Sequence, residues 1–403
     1  MDLKSGYPFW AIKNGLMHAF PPLQQDLRCE VVVLGGGITA ALIADELVQH
    51  GHEVAVIEQR DIGWGSTAAS TALLQYEIDT PLRELAKRYG LDAALLAYRA
   101  CAQAIDELQA LARQVDDVDF RNARSLYYAS HRRHLRPLLE EFELRSQHGF
   151  AVDWLDAEGV AAEFGFNAPG AILSTPAASM DPYRMSYRLL MRLLAQGAKI
   201  HDRCHINAVE TSTQRVHLRT ADGLRIECKH LVVAAGYAAQ HWLRQRVARN
   251  RSSYAFVTEP LPANALAQLR DTLLWETARP YLYLRTTADQ RLLVGGEDDA
   301  VDLPLRRDAQ VDRKARRLAA KVGKLFPQLA ITPSFAWAGT FAETEDGLPF
   351  FGAHRQWGPR VQFAMAYGGN GITYSMLGAG LIRAAIEGRR HSLAELFSFR
   401  RLA

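Results

Sequence analysis

The first residues that could do chemistry form a glycine-rich turn, GGGITA, which begins at Gly35. Gly35 permits a tight turn, Gly37 lets the backbone approach a pyrophosphate, and Ala40 is small enough for a helix to pack close to the preceding strand. The helix that starts at Ile38 and Thr39 offers unpaired N–H groups and a partial positive charge to phosphate. The turn therefore predicts a dinucleotide-binding site.

A carboxylate stands where such a site needs one. Glu58 ends the apolar run HEVAVIE and lies about 20 residues beyond the turn, the spacing at which a carboxylate grips ribose hydroxyls. Glu58 argues against a ribose 2′-phosphate, although the neighbouring Arg60 leaves that possibility open on local grounds.

One β-α-β unit must position these groups. Residues 30–34 (EVVVL) are typical of a fully buried strand, apolar residues then recur at helical spacing up to Gly51, and residues 52–58 predict a second strand. The fold class is therefore α/β, with a Rossmann-type domain near the N-terminus.

The rest of the chain alternates in character. Residues 81–150 have mostly helical spacing, Asp222–Gly223 marks a turn between two strands, and residues 252–296 are rich in strand patterns. These insertions predict a discontinuous dinucleotide-binding domain and an inserted antiparallel-sheet substrate domain, preceded by an aromatic-rich lead-in. The expected boundaries are 28–80, 171–240 and 337–403 for the first domain, 81–170 and 241–336 for the second, and 1–27 for the lead-in.

Composition limits the function classes. A chain of 403 residues exceeds the size of one core and predicts at least two domains. The formal net charge of +3 gives no reason to expect nucleic acid as a partner. Four cysteines without a CxxC pair predict neither a zinc site nor a disulfide framework, and we expect no metal. We see no signal peptide and no apolar run of about 20 residues, so we expect a cytoplasmic protein without a membrane span.

Further motifs follow the first turn in a fixed order. They are VAVIEQRDIGWGSTAAS, MDPYRM with the strand AKIHDRCHINAVE, LVVAAGYAAQHW, YLYLRTTADQRLLVGGED, ETEDGLPFFG and YGGNGIT. Together they resemble the D-amino acid oxidase/glycine oxidase/sarcosine oxidase family of flavoproteins over most of the chain. The resemblance implies FAD as the cofactor.

The resemblance also implies where the cofactor lies. Ser66 and Thr67 are expected at the diphosphate or ribityl chain, and the backbone of Ile206 at the adenine. The small Ala235 and Gly236 leave room beneath the cofactor. The full expected set is Gly35, Gly37, Ile38, Thr39, Glu58, Gln59, Arg60, Ser66, Thr67, Ala72, Leu73, Ile206, Ala235, Gly236, Gly369, Asn370, Gly371, Ile372 and Thr373.

A second glycine-rich turn, GGNGIT, begins at Gly368 and precedes a predicted helix from about residue 372 to 387. In the family this turn lies beside the flavin ring, with a helix start near the edge that becomes negative on reduction. A helix N-terminus typically stabilises an anion by about 0.3–1 kcal/mol. Some relatives attach the flavin to a histidine or cysteine, but Ala69 occupies the histidine position and no cysteine follows Cys228. We therefore expect non-covalent FAD.

The substrate residues depart from the family pattern. Amino-acid oxidases of the family hold the substrate carboxylate with an arginine at a position that Phe341 occupies here. Arg279 and Arg285 are candidates to replace it, and Glu343 is a candidate to attract a cationic amine. The expected pocket residues are Tyr254, Tyr283, Phe341 and Asn370, and Tyr281 shares a strand face with Tyr283.

Three functions remain open at this point. The leading hypothesis is an FAD-dependent oxidoreductase that oxidises a small amine or amino acid by hydride transfer to flavin N5, with oxygen as acceptor. The second is a dehydrogenase that passes electrons to a quinone or a protein. The third is a tRNA-modifying or non-enzymatic flavoprotein. The oligomeric state is not predicted, and neither His241 nor His354 has a partner visible in the sequence.

Overall fold

The computed structural model describes residues 3–300 and 302–402. Residues 1–2 of the predicted lead-in, residue 301 of the predicted substrate domain and residue 403 of the predicted FAD-binding domain lie outside the described residues. The strands are β1 Lys4–Gly6, β2 Leu27–Leu34, β3 Val54–Ile57, β4 Leu73–Gln75, β5 Arg121–Tyr128, β6 Ala151–Asp156, β7 Gly170–Ser179, β8 Lys199–His201, β9 Ile206–Thr211, β10 Val216–Thr220, β11 Arg225–Val233, β12 Arg249–Thr258, β13 Thr272–Glu276, β14 Leu282–Thr286, β15 Leu292–Asp299, β16 Pro333–Glu343, β17 Phe350–Ala353 and β18 Val361–Met365. The helices are α1 Phe9–Asn14, α2 Ile38–Gln49, α3 Ser66–Ala69, α4 Leu82–Tyr89, α5 Leu91–Val115, α6 Leu135–Gln147, α7 Ala157–Phe164, α8 Pro182–Ala195, α9 Pro304–Leu325 and α10 Gly371–Ile386.

The first sheet is the predicted Rossmann-type sheet. Its strand order is β17-β18-β11-β2-β3-β8, and all neighbours are parallel except β17 and β18. The meander β9-β10-β11 extends from β11, with Asp222–Gly223 in the turn between β10 and β11. The sequence predicted the β2-α2-β3 unit correctly to within a few residues at its ends.

Both faces of this sheet are covered. Val31 and Val33 belong to the core that packs beneath α2, α5, α8 and α10, whereas Val32 and Leu34 belong to the core on the opposite face. Successive residues of a strand point to opposite faces, so a strand buried on both sides needs an unbroken apolar run. This explains the EVVVL pattern of β2.

The second sheet has the order β1-β16-β12-β15-β14-β13-β5-β7-β4, with β6 beside β7. Its pairs are antiparallel, as predicted, except that β13 and β5 are parallel. The helices α7 and α9 cover one face through a core that includes Phe164, Leu318 and Phe256. The other face looks toward the first sheet and forms one wall of the site described below.

Strand pairing differs from three of the predicted domain boundaries. Residues 73–75, 171–179 and 337–343 were assigned to the FAD-binding domain, but they lie in β4, β7 and β16 of the second sheet. The sheet with which a strand pairs leaves no mark in its local composition, so the sequence could not locate these boundaries. The region 81–150, predicted as largely helical, also contains β5, whose residues Arg121–Tyr128 have no clear alternation.

The lead-in packs against the body, as predicted. Trp10 and Phe20 are fully buried, and the Trp10 indole N–H donates to the carbonyl of Ser70 at 2.7 Å. The strand β1 adds to the edge of the second sheet beside β16. Across the described ranges, no helix has the length and apolar character needed to cross a bilayer.

A buried ion network supports the segment that leads from β4 toward α4. Arg145 of α6 is 1% exposed and donates to Glu141 at 2.8 Å, while its Nη1 lies 3.7 Å from Glu77 Oε1. Glu141 also accepts the N–H groups of Leu82 and Arg83 at the start of α4. One arginine thus compensates two buried carboxylates.

Replacement of Arg145 should be strongly destabilising. Arg145→Met leaves Glu141 and Glu77 without a cation, and loss of one partner of a buried pair typically costs about 3–5 kcal/mol. Chemical denaturation should report this loss in the free energy of unfolding. Arg136→Met is the matched control, because Arg136 is an exposed residue of the same helix whose pair with Glu140 should contribute less than about 1 kcal/mol. Equal stability changes in the two variants would contradict the role of the buried network.

Candidate active site

The carboxyl ends of four parallel strands meet at one edge of the first sheet. Each end leads directly into a segment that lines the same cavity. Ligands of open α/β sheets bind at this edge because the loops that follow the strands converge there. The segments are Gly35–Thr39 after β2, Glu58–Arg60 after β3, Ala234–Ala238 after β11 and Ala366–Ile372 after β18.

The first glycine turn is packed too tightly for any side chain. Gly35 has a φ of +128°, and a Cβ added there would lie 2.3 Å from the carbonyl oxygen of Ala234. A Cβ on Gly37 would lie 2.7 Å from Thr67 Oγ1. The Thr67 hydroxyl accepts the N–H of Ile38 at 3.0 Å, so it binds the first turn of α2. The turn and residues 66–67 therefore form one wall of the cavity.

Glu58 is held by backbone groups. Its carboxylate accepts the N–H of Gly36 at 2.6 Å and the N–H of Arg60 at 2.8 Å. Burial raises the pKa of Glu58, while the hydrogen bonds from Arg60 and Gly36 oppose this shift. These contacts fix the carboxylate at the end of β3, where it lines the cavity.

The cavity is continuous between the two glycine turns and has a volume of about 490 Å³. Every predicted cofactor residue except Thr373 contributes to its wall. Thr373 is 1% exposed and donates its hydroxyl to the carbonyl of Gln75 at 3.3 Å, so it anchors α10 rather than facing the cavity. The roles of the individual wall residues remain predictions.

The wall fits a dinucleotide. Ser66 Oγ is buried, lines the cavity and has no hydrogen-bond partner among the described residues. The glycine turn offers a surface that any Cβ would fill. Its last residue, Gly37, is the N-cap of α2 and supplies no side-chain cap, so beyond the Ile38 N–H that Thr67 binds, the helix start keeps donors for a ligand. Unpaired donors at a helix N-terminus are the groups that a diphosphate needs. The residues present therefore suit FAD.

The second glycine turn closes the other end of the cavity. Gly369 donates its N–H to Asp79 Oδ2 at 2.7 Å, and the Asn370 amide donates to the carbonyls of Glu77 at 2.6 Å and Gln75 at 3.3 Å. The first N–H groups of α10 have no side-chain cap. Asn370 thus fixes the turn against residues 75–77, and its amide hydrogens are not available to a substrate.

Two of the predicted tyrosines differ in what they present to the cavity. Tyr283 lies across Gly295, and its hydroxyl is 3.3 Å from that of Ser253. Burial raises the pKa of Tyr283 to about 12. Tyr254 is in the cavity wall, but its hydroxyl donates to Asp299 Oδ2 at 2.7 Å and its ring packs in the core beneath α9.

Tyr254 therefore contributes to the cavity wall without presenting its hydroxyl to the cavity. The strand β12 alternates, so Ser253 faces the cavity and Tyr254 faces away. Tyr281 and Tyr283 do share the cavity face of β14 and the residue before it, as the period-two spacing predicted.

None of the three charged substrate candidates contributes to the cavity wall. Arg285 is buried and donates to the carbonyls of Thr71 and Met180 at 2.7 and 3.0 Å, which leaves it a structural role. Arg279 is exposed and stacks on Tyr281, 3.4 Å from the ring centroid. Glu343 pairs with Arg251 near the surface, so it does not attract a substrate in this cavity. Phe341 lines the cavity, on the same strand face as Trp337.

The two histidines lie far from the second glycine turn. His241 is in the wall at the end that holds Ile206, where the adenine is expected. His354 is buried against Phe399, with ring centroids 5.0 Å apart, and is not part of the wall. In the described part of the chain, no group of three His, Cys, Asp or Glu side chains could hold a metal ion.

Asp298 is the main site residue that the sequence reasoning missed. It lines the cavity near Ser253 and Tyr283, because a β-bulge in β15 changes the alternation of the strand. Gly295 and Asp298 consequently share one face although they are three positions apart, and Glu297 adopts a φ of +56°. Three consecutive acids in GGEDD were the only available signal.

Two more acids lie in the wall around the second glycine turn. Asp79 accepts the Tyr281 hydroxyl at 2.8 Å as well as the Gly369 N–H. Glu77 is 2% exposed, and its Oε2 has no hydrogen-bond partner in the described ranges. This end of the cavity is therefore acidic and aromatic.

Comparison with known proteins agrees with this geometry. The family model described as DAO, FAD dependent oxidoreductase, matches residues 30–385. Gamma-glutamylputrescine oxidoreductase of Escherichia coli (strain K12) is 25% identical over 94% of this chain and 88% of its own. Glycine oxidase of Geobacillus kaustophilus is 26% identical over 92% and 96%. The crystal structure of L-proline dehydrogenase from P. horikoshii has a TM-score of 0.79 at 17% identity and covers 94% of this chain and 98% of its own, which is a likeness of fold.

Removal of the Glu58 charge should weaken FAD binding. Glu58→Gln keeps the shape of the side chain but loses a charged acceptor, and hydrogen bonds to charged groups contribute about 1.5–3 kcal/mol. We expect the Kd of the apoprotein for FAD, measured by flavin fluorescence, to rise about 10- to 100-fold. Glu53→Gln is the control, because Glu53 is an exposed residue before β3 that pairs with Lys199. Unchanged affinity in Glu58→Gln would remove Glu58 from the cofactor site.

Proposed function

The chain belongs to the DAO family of FAD-dependent oxidoreductases, and from this premise we propose that it oxidises a small amine. FAD, when bound, supplies the acceptor for the hydride that leaves the carbon bearing the nitrogen. The task of the protein is to orient that carbon, exclude water and favour the neutral amine. No dedicated acid–base side chain is required by this reaction.

One observation supports an amine over an amino acid. The wall near the second glycine turn carries Glu77, Asp79 and Asp298. Phe341 also lines the cavity, and the family resemblance predicts it at the position of the carboxylate-binding arginine. A carboxylate placed there would face like charges without a bidentate partner, which is unfavourable in a cavity of low dielectric. The named activity of one relative, gamma-glutamylputrescine oxidoreductase, is consistent with an amine.

The aromatic side chains give the substrate its orientation. Trp275 stacks on Tyr127 with ring centroids 3.7 Å apart, and its indole N–H donates to Ser125 at 3.0 Å. Tyr281 is held by its hydrogen bond to Asp79. These rings are fixed by their own contacts, so they form a preformed apolar channel that displaces water from the alkyl part of an amine.

We assign FAD binding to residues that surround the first sheet and substrate binding to the second sheet. We also propose that FAD is held non-covalently. Ala69 lies against Gly339, where an added Cβ would be 3.0 Å away, and it offers no nucleophile. All four cysteines are free and buried, and only Cys204 contributes to the cavity wall. Its thiol lies at the end opposite the second glycine turn, beside Ile206.

Oxygen is the proposed acceptor, with a quinone or a protein as the alternative. The alternatives differ in product, because reoxidation by oxygen yields hydrogen peroxide. A small-molecule amine is the only partner we propose.

Purified protein should bind FAD and be bleached by an amine in the absence of oxygen. We expect a yellow protein whose flavin absorbance falls on anaerobic addition of primary or N-methyl amines, since two electrons pass to the flavin. Admission of air should restore the absorbance and release hydrogen peroxide. Acid precipitation should leave FAD in the supernatant. A colourless protein that takes up no FAD would exclude the proposed function, and recolouring only with a quinone would select the alternative acceptor.

Restoring the arginine of the family should shift the substrate preference. Phe341→Arg places a cation at the wall, so the KM for D-alanine should fall by about tenfold or more, as expected for one charge-assisted pair. Steady-state peroxide production or flavin bleaching rates report the KM. Phe341→Leu is the control, because it changes the shape without adding charge. If both variants behave alike toward D-alanine, Phe341 does not occupy the carboxylate-binding position.

A further inference from the structure

Three consecutive acids of β15 have different surroundings. Glu297 and Asp299 face α9, where Lys321 lies 2.7 Å from Glu297 and Lys314 lies 2.9 Å from Asp299. Asp298, between them, faces the cavity. It makes no ion pair with a described residue, and its Oδ1 is buried without a hydrogen-bond partner in that part of the chain. Glu297 and Asp299 are therefore each paired with a cation, whereas Asp298 has no paired cation among the described residues.

The remaining charges near Asp298 do not compensate it. Glu77 shares Arg145 with Glu141, and Asp79 is bound by a hydroxyl and a backbone N–H. Arg279 is exposed and donates to the backbone carbonyl of Asp79 at 3.3 Å while it stacks on Tyr281. An isolated anion in a cavity is costly unless a cation pairs with it. We therefore expect the ligand to supply the cation that pairs with Asp298.

The walls beside Asp298 suit an alkylammonium ion. Tyr283 and Phe341 line this end of the cavity, together with Trp275. Aromatic faces attract cations and pack against methylene groups. Together with an anion, they can compensate an ammonium group for the water that it loses on binding.

The reacting nitrogen is not the one that Asp298 holds. Hydride can leave the carbon only when the attached nitrogen is neutral, whereas a carboxylate in contact with an amine stabilises its protonated form. We therefore propose that Asp298 binds a second, non-reacting ammonium group, and that the substrates are diamines or amines with a second cationic nitrogen. This inference rests on the proposed amine oxidation and adds the class of amine.

Three probes of equal chain length test the charge of the distant group. They are 1,4-diaminobutane, butylamine and 4-aminobutanoate, whose second end is cationic, neutral and anionic. In the FAD-loaded protein we expect the KM to rise in that order, with about 10- to 100-fold between the diamine and butylamine. The Kd of each probe, read from perturbation of the flavin spectrum, should follow the same order.

Variants of the three acids then identify the residue responsible. Asp298→Asn should raise the KM for 1,4-diaminobutane about 10- to 100-fold and leave that for butylamine within about twofold. The kcat for either amine should change little, because the reacting end is not touched. Asp298→Glu should restore part of the diamine preference. Asp299→Asn is the matched control, since it removes the same charge from the same strand on the face toward α9.

The pH dependence provides a readout that a structural role would not produce. Burial raises the pKa of Asp298 to about 6. The hydrogen bond from Ser253 opposes this shift, and the negative charge of Asp79 adds to it. Asp79, Arg279 and Lys314 are the charged groups that act on its pKa, Lys314 from the α9 side of the strand, and the Tyr283 phenol is the titratable group beside it. Protonation removes the anion, so diamine affinity should fall as the pH drops through about 6 in the wild type. Asp298→Asn should lack this step.

The outcomes separate this inference from the proposed function. If butylamine and 4-aminobutanoate bleach the flavin as well as the diamine does, and Asp298→Asn changes no KM, amine oxidation stands and the role of Asp298 fails. A large fall in kcat for butylamine in Asp298→Asn would also overturn it, because Asp298 would then act on the reacting nitrogen. If no amine bleaches the flavin but the diamine binds through Asp298, the binding site stands and the proposed function fails. Flavin content and Tm of each variant establish that it is folded.

Discussion

The site depends on how closely two backbones approach at the end of β2. Gly35 leaves 2.3 Å between the position of an added Cβ and the carbonyl of Ala234, so no other residue fits without moving β11. This contact brings the loops after β2 and β11 together. The parallel pairing of β3 with β2 and of β18 with β11 adds two more strand ends at the same edge. A single steric constraint thus sets the width of the cavity in which a flat, charged cofactor must lie.

The second sheet completes what the first cannot supply. The strand ends provide backbone donors and small residues, which suit phosphate and a ring but give little means to choose a substrate. The inward face of β12, β14, β15 and β16 supplies the aromatic and acidic side chains instead. Asp79 joins the two parts, because its carboxylate accepts both the Gly369 N–H and the Tyr281 hydroxyl. The position of the second glycine turn is therefore coupled to the substrate wall.

The cofactor half was predictable from the sequence because its determinants are local. A turn of the form G-x-G-x-x-A, a buried strand on each side and Glu58 at the expected spacing are all readable within about 30 residues. Even there, Thr373 was assigned to the cavity although its hydroxyl bonds to Gln75. Spacing located the helix α10 correctly but not the direction of each side chain at its start.

The substrate half was less predictable because its determinants are not local. Which face of β12 meets the cavity depends on the sheet to which it pairs, so Tyr254 was chosen where Ser253 faces inward. Asp298 depends on a bulge that shifts the register between β12 and β15, and sequence periodicity assumes no such shift. Arg285 was a candidate for binding a substrate carboxylate, but its guanidinium donates to the backbone carbonyls of Thr71 and Met180, which the sequence does not reveal.

Under the proposed function, the acidic side chains of the substrate wall explain how a fold known from amino-acid oxidation would serve an amine. A basic wall binds the carboxylate of an amino acid and leaves its nitrogen to lose a proton, while an acidic wall must avoid the reacting nitrogen or it will keep that nitrogen protonated. The bulge in β15 resolves this conflict in structural terms. It directs one carboxylate into the cavity and its two neighbours toward the cations of α9, so the negative charge is concentrated at Asp298 rather than spread along the strand. Selectivity then comes from where a charge is left uncompensated, and the chemistry at the ring is left to the cofactor.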